Sequence, residues 1–308
     1  MGGIDSLLVE FGEQSATLTA FAKARIRRVS GVTLLVGAGD SYAAAMAGFF
    51  ASNGRCIAMD PYSLAAAPET ARGLEVYFIS VSGRTASNVS AARKVKGIAK
   101  ATGAVTAVEG STLAGIVDGV IPLPMEYQPR KVGILSFSLS LLAVLRLAGR
   151  DESSDFRRAL TNARKDVRSV GIGRGRGTTY LLGNSGGYAA ALYTAAKIYE
   201  VLGTRAQAEL LEEFSHLEVF SLAKHDQVYA FSCFDPGGVA RKLAKTLGES
   251  GYAARVVPSR GSTFIESLFH SVFVGQLSVL EAASKRGLGE PGFAGSAQKL
   301  RTSDSMIY

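Results

Sequence analysis

Short apolar runs and segments of helical periodicity alternate along the whole chain. Runs of four to six mostly apolar residues are typical of buried parallel strands, whereas apolar residues spaced three and four apart are typical of helices. The predicted strands span residues 32–36, 56–59, 76–79, 105–108, 119–123, 179–182, 228–233 and 255–258. The predicted helices span residues 4–29, 42–52, 86–100, 133–147, 156–170, 188–202 and 263–284, with a further helix ending at residue 247.

This alternation of strand and helix predicts an α/β fold with doubly wound parallel sheets. The polar segment 149–154 interrupts the pattern, which then recurs in a similar order. We therefore expect two domains in tandem, 1–150 and 151–308, the second ending in a Gly/Ser-rich tail from residue 287. A chain of 308 residues is long enough to bury two separate cores.

A cluster of hydroxyl side chains follows the predicted strand 76–79. Ser80, Ser82 and Thr85 surround a turn at Gly83, and a predicted helix begins directly afterwards. The free amides and the positive end of a helix N-terminus attract an anion, and hydroxyl groups add donors. We expect a phosphate at this turn. The second half has Ser-Cys-Phe-Asp-Pro-Gly at residues 232–237 instead, so we expect a single phosphate site, in the first half.

Each half also has a glycine-rich turn after its first strand. We pair Gly-Ala-Gly-Asp-Ser at 37–41 with Leu-Gly-Asn-Ser-Gly at 182–186. A dinucleotide-binding turn would need a third glycine near position 42, but this chain has Tyr42. It would also need an acidic residue at the end of the second strand, and Asp60 meets this requirement. A nicotinamide-dependent dehydrogenase therefore stays open as an alternative.

Charge and composition narrow the choice of ligand. The net charge is +8, and basic residues are scattered, for example at Arg93, Lys100, Arg174 and Arg176, without a stripe of interleaved aromatic residues. We expect solvated basic surfaces and no nucleic-acid groove. The apolar stretch 134–147 is too short to span a membrane and contains Arg146, and no secretory signal precedes it, so we expect a soluble, cytoplasmic protein.

The two turns of the first half resemble those of the SIS (sugar isomerase) domain family. Gly-x-Gly-x-Ser at 37–41 and Ser-x-Ser-Gly-x-Thr at 80–85 carry the resemblance, which covers nearly the whole chain. The chain is similar to the isomerase half of glucosamine-6-phosphate synthase, to SIS-type glucosamine-6-phosphate deaminases and to archaeal bifunctional phosphoglucose/phosphomannose isomerases. The resemblance implies two flavodoxin-like three-layer domains in tandem. It also implies phosphate binding by Ser41, Ser80, Ser82 and Thr85, with Gly39 and Gly83 in the turns.

In the second half the resemblance implies the chemistry. Lys197 and Glu200 share a helix face, and His216 follows Glu200 by sixteen residues, as in synthase-like isomerases. It implies that Glu200 moves a proton between C1 and C2 of an open-chain sugar phosphate and that His216 opens the ring. It further implies that His216 reaches the site from a neighbouring subunit, so that a homodimer has shared active sites. After His216 the synthases continue Gly-Pro, whereas this chain has Leu217-Glu218.

Two further basic positions match the family in part. Arg130 or Lys131, after the fifth strand, either steadies the enediolate, as an arginine does in phosphoglucose/phosphomannose isomerases, or caps and solvates its loop. Lys299 corresponds to a C-terminal tail lysine that folds over the sugar in the family.

These observations predict a phosphosugar aldose-ketose isomerase acting on a hexose 6-phosphate through a cis-enediol, without a cofactor and without a metal. Glucosamine-6-phosphate deaminase is the first alternative, because both reactions share the phosphate site and an enol-type intermediate. A non-catalytic phosphosugar-binding regulator is the second. We expect no glutaminase domain and no helix-turn-helix domain, because only about thirty residues precede the first strand.

Overall fold

A computed structural model describes residues 3–173 and 177–308, so the loop predicted at Arg174 and Arg176 lies outside the described residues. The strands are β1 Thr33–Val36, β2 Cys56–Met59, β3 Glu75–Ile79, β4 Ala101–Thr106, β5 Gly119–Pro122, β6 Thr179–Gly183, β7 Ala206–Leu210, β8 Gln227–Phe231 and β9 Ala253–Val257. The helices are α1 Ile4–Phe21, α2 Asp40–Ala51, α3 Pro61–Ala66, α4 Ala86–Val95, α5 Leu135–Leu147, α6 Phe156–Val170, α7 Gly186–Lys197, α8 Leu211–His216, α9 Val239–Glu249, α10 Phe264–Lys285 and α11 Ala297–Ile307.

The strands form two parallel sheets with the same internal order. The first sheet has five strands in the order β2-β1-β3-β4-β5, and the second has four in the order β7-β6-β8-β9. Leaving out β5, each sheet places its first strand between its second and its third. The predicted α/β fold with parallel sheets is confirmed, and the repeated order agrees with two units of the same architecture.

The described residues group into two compact units, one around each sheet. The first-sheet unit combines Thr17–Asp151 with Ala297–Tyr308, and the second-sheet unit combines the segment through Ala16 with Glu152–Ser296. Each unit is therefore built from two separate pieces of chain. The predicted domain limits 1–150 and 151–308 stay a prediction.

Each sheet is held by an apolar core on a face of its strands. In the first-sheet unit, Val36, Val76 and Phe78 are fully buried and pack with residues of α4. In the second-sheet unit, Leu182 and Phe214 belong to the equivalent cluster. Full burial of such a side chain contributes about 1.5–3 kcal/mol to the stability of the fold. These strands are therefore rigid, and the loops that follow them start from fixed positions.

Several regions differ from the sequence-based prediction, among them α1, β7 and the tail, and β4 begins at Ala101, four residues before the predicted strand. Helix α1 ends at Phe21 and not at residue 29, because the residues after Phe21 form turns. The Arg146 guanidinium donates a hydrogen bond to the Ala22 carbonyl there. The unpredicted strand β7 is a half-exposed edge strand that contains Gln207 and Glu209, so it lacks the apolar run of a buried strand. The tail is helical over α11, where Gln, Lys, Leu and Arg favour a helix.

The longest helix, α10, is buried along most of its length although it carries several polar residues. Glu266, His270 and Gln276 are all at most 2% exposed, and each has a hydrogen-bond partner from another element or loop. Across residues 3–173 and 177–308, no helix is both long enough and apolar enough to cross a membrane.

Candidate functional site

The two phosphate-binding turns predicted from the sequence lie side by side at the carboxyl edge of the first sheet. Strand β1 pairs in parallel with β3, and Val36 stands opposite Phe78. The strand order reverses between these two strands, since β2 lies on one side of β1 and β3 on the other. Ligands of open α/β sheets bind at this kind of switch point. The turns at 37–41 and 80–85 both start there.

The loop after β3 concentrates hydroxyl groups in a small volume. Ser80 and Ser82 are 4% and 5% exposed, and Ser80 Oγ lies 3.3 Å from Thr85 Oγ1. The amide of Arg84 donates to Ser82 Oγ at 3.2 Å, which fixes that side chain against its own loop. Ser82, which accepts here, and whichever of Ser80 and Thr85 accepts from the other each keep a rotatable proton that can be donated to an anion.

Helix α4 begins without a side-chain cap. Its N-cap residue, Thr85, makes no capping hydrogen bond with its side chain, and the first amide to bond back is that of Val89, at 3.0 Å from the Thr85 carbonyl. The preceding amides of the first turn are the donors that a helix leaves over. In the same turn Asn88 is 2% exposed, and its Oδ1 has no hydrogen-bond partner among the described residues. This end of α4 thus offers donors to an anion and one acceptor to a hydroxyl group.

Gly83 sits at the closest approach in this loop. Its φ of +60° is in the left-handed region, and a Cβ added there would lie 2.0 Å from Ser111 Oγ. Its carbonyl also accepts from the Leu113 amide at 3.0 Å. Only glycine satisfies both the conformation and the contact without a shift of Ser111, so the sequence signal at Gly83 reflects a steric requirement of the loop.

The turn after β1 also depends on glycine. Gly39 has φ +57° and ψ −127° and is the residue before α2, while a Cβ at Gly37 would lie 2.7 Å from Ser41 Cβ. Ser41 is the second residue of α2 and is half-buried. The backbone thus brings the start of α2 close to β1, and Ser41 stands one strand away from the hydroxyl cluster.

Asp60 has a local structural role. Its Oδ1 accepts from the amides of Tyr62 and Ser63 at 2.9 and 3.0 Å and so caps α3, whose first residue is Pro61. Hydrogen bonds from Ser63 and from the Tyr62 amide hold the pKa of Asp60 below its ordinary value. A dinucleotide site would use this acidic residue for a ribose hydroxyl. Since it caps a helix, the dehydrogenase alternative loses support.

The segment after β5 reaches the hydroxyl loop through a residue that the sequence analysis did not single out. Tyr127 lies near Ser82 and Tyr308, and burial, followed by the charge of the neighbouring Tyr308, raises the pKa of Tyr127 to about 12. Arg130 is half-exposed and pairs with Asp304 of α11, the helix that also carries Lys299. The sequence indicated only that Tyr127 follows the fifth strand, at the carboxyl edge of the sheet. Its proximity to Ser82 could not be predicted, because the two residues are distant in sequence.

In the second-sheet unit, the predicted pair Lys197 and Glu200 is in direct contact. Lys197 ends α7 and is 1% exposed, whereas Glu200 is 36% exposed. Glu200 lies within a single π-helical turn, Ile198–Leu202, that continues α7. Such turns are rare and occur frequently at functional sites. The buried ammonium thus holds a carboxylate that is still accessible to a ligand.

The backbone of this π-helical turn is supported from outside the helix. The Phe293 amide donates to the Glu200 carbonyl at 3.1 Å, and the Gly292 amide donates to the Val201 carbonyl at 2.9 Å. A helix end leaves carbonyls without partners, and here a distant segment satisfies two of them. Because β7 begins soon after at Ala206, Glu200 lies near the amino edge of the second sheet.

His216 is the last residue of α8 and its side chain is 70% exposed. Its Nε2 lies 3.1 Å from Glu212 Oε1, one helical turn earlier. The two residues that stand where the synthases have Gly-Pro differ in exposure. Leu217 is 61% exposed, whereas Glu218 is partly buried. Nearby Phe220 is 86% exposed. His216 therefore stands beside an exposed apolar surface.

The second sheet repeats the first turn but not the hydroxyl loop. Ser185, the residue before α7, has φ +52° and ψ −133°, close to the values of Gly39. A Cβ at Gly183 would lie 2.4 Å from the backbone of Gly187, as a Cβ at Gly37 would crowd Ser41. The structural match is therefore Gly37 with Gly183, one residue later than the pairing read from the sequence.

The helix that follows β8 has an internal carboxylate at its N-terminus. Asp235 accepts from the amides of Val239 and Ala240 at 2.8 and 2.9 Å, and the preceding Phe234 stacks on Phe264 at 4.4 Å. The donors that α4 leaves over are thus satisfied within the protein at α9. The sequence-based expectation that only the first half has an anion site stays a prediction.

Neither a metal-ligand cluster nor an exposed thiol is found among the described residues. Across residues 3–173 and 177–308, no group of three His, Cys, Asp or Glu side chains is placed to hold a metal ion. Cys56 and Cys233 are buried, and burial raises the pKa of Cys56 and brings that of Cys233 to about 12. Such thiols stay protonated at neutral pH and are poor nucleophiles.

Comparison with known proteins identifies similar folds. No family model matches the chain, and no curated protein sequence matches it. The glucosamine-6-phosphate deaminase of Thermotoga maritima has a TM-score of 0.75 at 22% identity, covering 93% of this chain and 97% of that chain. The C-terminal domain of glucosamine-fructose-6-phosphate aminotransferase from Francisella tularensis has a TM-score of 0.73 at 16% identity, with coverages of 92% and 98%. The tagatose-6-phosphate ketose/aldose isomerase of Escherichia coli has a TM-score of 0.65 at 19% identity, with coverages of 92% and 90%. These likenesses concern the fold.

Proposed function

We propose that this chain is an enzyme that binds a hexose 6-phosphate and interconverts its aldose and ketose forms. The observation that carries the proposal is the uncapped N-terminus of α4 beside Ser80, Ser82 and Thr85 at the switch point of the first sheet. Backbone amides and hydroxyls at a helix N-terminus suit a phosphate monoester. The similar folds, which include a phosphosugar isomerase and a phosphosugar deaminase, support the same class of ligand.

In this proposal Glu200 is the base. Proton transfer next to a carbonyl needs a positioned carboxylate within hydrogen-bond reach of carbon-bound hydrogen. Glu200 is partly exposed, is held by the buried Lys197, and lies on a backbone turn that is fixed by Gly292 and Phe293. It would move the proton between C1 and C2 through a cis-enediol. Arg130 as a stabiliser of the enediolate and Lys299 as a tail ligand stay predictions.

His216 is proposed to open the sugar ring, because imidazole exchanges protons near neutral pH. Its exposure beside Leu217 and Phe220 supports the proposal that it acts in the site of a second copy of the chain. An exposed apolar surface of this kind is typical of an association site. The proposed active form is a homodimer with shared sites.

Ligand class is tested by thermal unfolding. We expect fructose 6-phosphate and glucose 6-phosphate to raise Tm, since a ligand that binds only the folded state stabilises it. Free fructose and glucose are the matched controls and should have no effect. Stabilisation by the free sugars without an effect of their phosphates would contradict phosphosugar binding.

Reaction type is tested by incubation with fructose 6-phosphate, with and without ammonium. Formation of glucose or mannose 6-phosphate without ammonium supports the isomerase. Glucosamine 6-phosphate formed only with ammonium supports a deaminase, the second candidate, which the fold similarity to the Thermotoga maritima enzyme favours. Glu200→Gln should abolish either turnover while phosphosugars still raise Tm. Stabilisation by ligand without any turnover would instead indicate a binding protein.

Site sharing is tested by mixing two inactive variants, Glu200→Gln and His216→Asn. If the two residues act from different subunits, a mixed dimer contains one intact site, and about a quarter of wild-type activity returns after subunit exchange. Activity that stays absent in mixed dimers would show that both residues act from one chain.

A further inference from the structure

A chain of buried polar side chains leads from helix α1 to the proposed base. Gln14 Nε2 donates to Gln276 Oε1 at 2.8 Å, and Gln276 Nε2 donates to Tyr193 Oη at 3.0 Å. Gln14 is 1% exposed, and Tyr193 and Gln276 are fully buried. The contacts join α1, α10 and α7 within the second-sheet unit. Buried polar groups are costly unless they are bonded, so this chain constrains all three side chains.

The chain continues to Lys197 through the ring of Tyr193. Tyr193 and Lys197 are one turn apart on α7, and Lys197 Nζ lies over the Tyr193 ring at 5.2 Å from its centroid. Lys197 then contacts Glu200 one turn further on. Lysine is almost never fully buried without partners. A cation over an aromatic face is attracted by the ring quadrupole, most strongly when it is desolvated, so the ring orientation helps to decide where the ammonium lies.

A glycine allows α10 to come near enough for these contacts. A Cβ added at Gly275 would lie 2.2 Å from Thr194 Oγ1 on α7. Gln276 directly follows Gly275 on α10. On α7, Tyr193 directly precedes Thr194, and Ala195 follows it. The close approach of the two backbones thus lies beside the bond between Gln276 and Tyr193.

From this geometry we propose that Tyr193 is a positioning residue for Glu200. It acts through Lys197, and Gln276 and Gln14 fix its ring. The inference rests on the proposed function, in which Glu200 is the base. Because Gln14 and Gln276 are buried, a change at either residue reaches Glu200 without touching the substrate.

The kinetic test uses Tyr193→Phe and Gln276→Leu. Displacing a catalytic group by a fraction of an ångström to one ångström costs about tenfold to a hundredfold in rate, so we expect kcat to fall by that range with KM unchanged. Thr194→Val is the matched control. It removes a buried hydroxyl from the same helix that bonds only to the Ala190 carbonyl, and kcat should change less than about twofold.

A double-mutant cycle separates positioning from a general loss of stability. If Tyr193 acts through Lys197, Tyr193→Phe should cause no further loss of kcat in a Lys197→Met background. An equal loss in both backgrounds, or a rise in KM with kcat unchanged, would overturn the proposal. Gln14→Met, a change of similar shape at the far end, serves if Tyr193→Phe fails to fold, and the same outcomes apply.

A second measurement does not depend on activity. Acetylation of Lys197 by acetic anhydride in the native protein, followed by mass spectrometry, reports how firmly the ammonium is held. We expect Tyr193→Phe and Gln276→Leu to speed Lys197 labelling several-fold, and Thr194→Val to leave it unchanged. Unchanged labelling in all variants would overturn the positioning role. If the wild-type protein turns over no sugar phosphate, the proposed function fails while the labelling still decides whether the chain holds Lys197.

Discussion

The carboxyl edges of the two sheets begin alike and end differently. Both first turns have the same backbone course, with Gly39 and Ser185 at nearly equal φ and ψ. At the next helix the first-sheet unit leaves the amides of α4 uncapped beside hydroxyls, whereas the second-sheet unit satisfies those of α9 with Asp235. The two units thus share the backbone that supports such a site. In the second unit the Asp235 carboxylate occupies the helix amides that, in the first unit, are proposed to bind an external anion.

The largest effect is expected from placing a carboxylate at the N-terminus of α4. Thr85→Asp places a capping carboxylate where the phosphate is proposed to bind, which removes a hydroxyl donor and adds like-charge repulsion. We expect Kd for fructose 6-phosphate, measured by calorimetry, to rise more than about a hundredfold while Tm is unchanged or higher.

The reciprocal change is the control for that experiment. Asp235→Thr removes the cap of α9 and should lower the free energy of unfolding by about 1 kcal/mol without weakening phosphosugar binding. If Thr85→Asp bound fructose 6-phosphate as tightly as the wild type, the phosphate would not bind at this end of α4.

The second prediction concerns the steric support of the hydroxyl loop. Gly83→Ala combines a positive φ with a Cβ 2.0 Å from Ser111 Oγ. We expect the free energy of unfolding to fall by about 2–3 kcal/mol in denaturant titrations. Gly73→Ala is the matched control, because Gly73 has a similar φ of +72° but no atom within 4 Å of the added Cβ. It should cost about 1 kcal/mol, and an equal loss for both would refute the role of Ser111.

The sequence anticipated those parts of both units that local patterns determine. Apolar runs located the buried strands, and the motif around Gly83 located the hydroxyl loop. The edge strand β7 was missed because its partly buried residues Gln207 and Glu209 interrupt any apolar run. The proximity of Tyr127 to Ser82 and the bond of Gln14 with Gln276 could not be predicted from the sequence, because they join residues far apart in sequence that only the fold brings together.

The third prediction uses pH to sharpen the comparison. Near the carboxyl edge of the second sheet, Glu266 binds Arg158 and Ser262, and the Arg158 guanidinium lowers the pKa of Glu266 to about 2. A lowered folded-state pKa stabilises above the ordinary value of about 4.5, and this stabilisation is lost as the pH falls towards 2. Glu266→Gln should therefore destabilise the protein at pH 7, and the difference from wild type should vanish near pH 2. A difference that persists in acid would show that packing, not charge, explains the loss.

The smallest predicted effect tests the equivalence of the two first turns. Ser185 has a backbone conformation that favours glycine, so Ser185→Gly should raise the free energy of unfolding by about 1 kcal/mol. Gly39→Ser should lower it by a similar amount, because nothing obstructs a Cβ there and only the conformation is strained. Denaturant titrations of both variants measure this. Stabilisation by neither change, or by both, would deny that the turns are equivalent.

The composition of the two units has a consequence for biosynthesis. The segment through Ala16 belongs with Glu152–Ser296, and Ala297–Tyr308 belongs with Thr17–Asp151. During synthesis the segment through Ala16 is therefore made well before Glu152–Ser296, the main part of its own unit. Such long-range closure slows folding and prolongs the exposure of apolar surface to chaperones and proteases. The hydrogen bond between Gln14 and Gln276 can therefore form only after most of the second-sheet unit has been made.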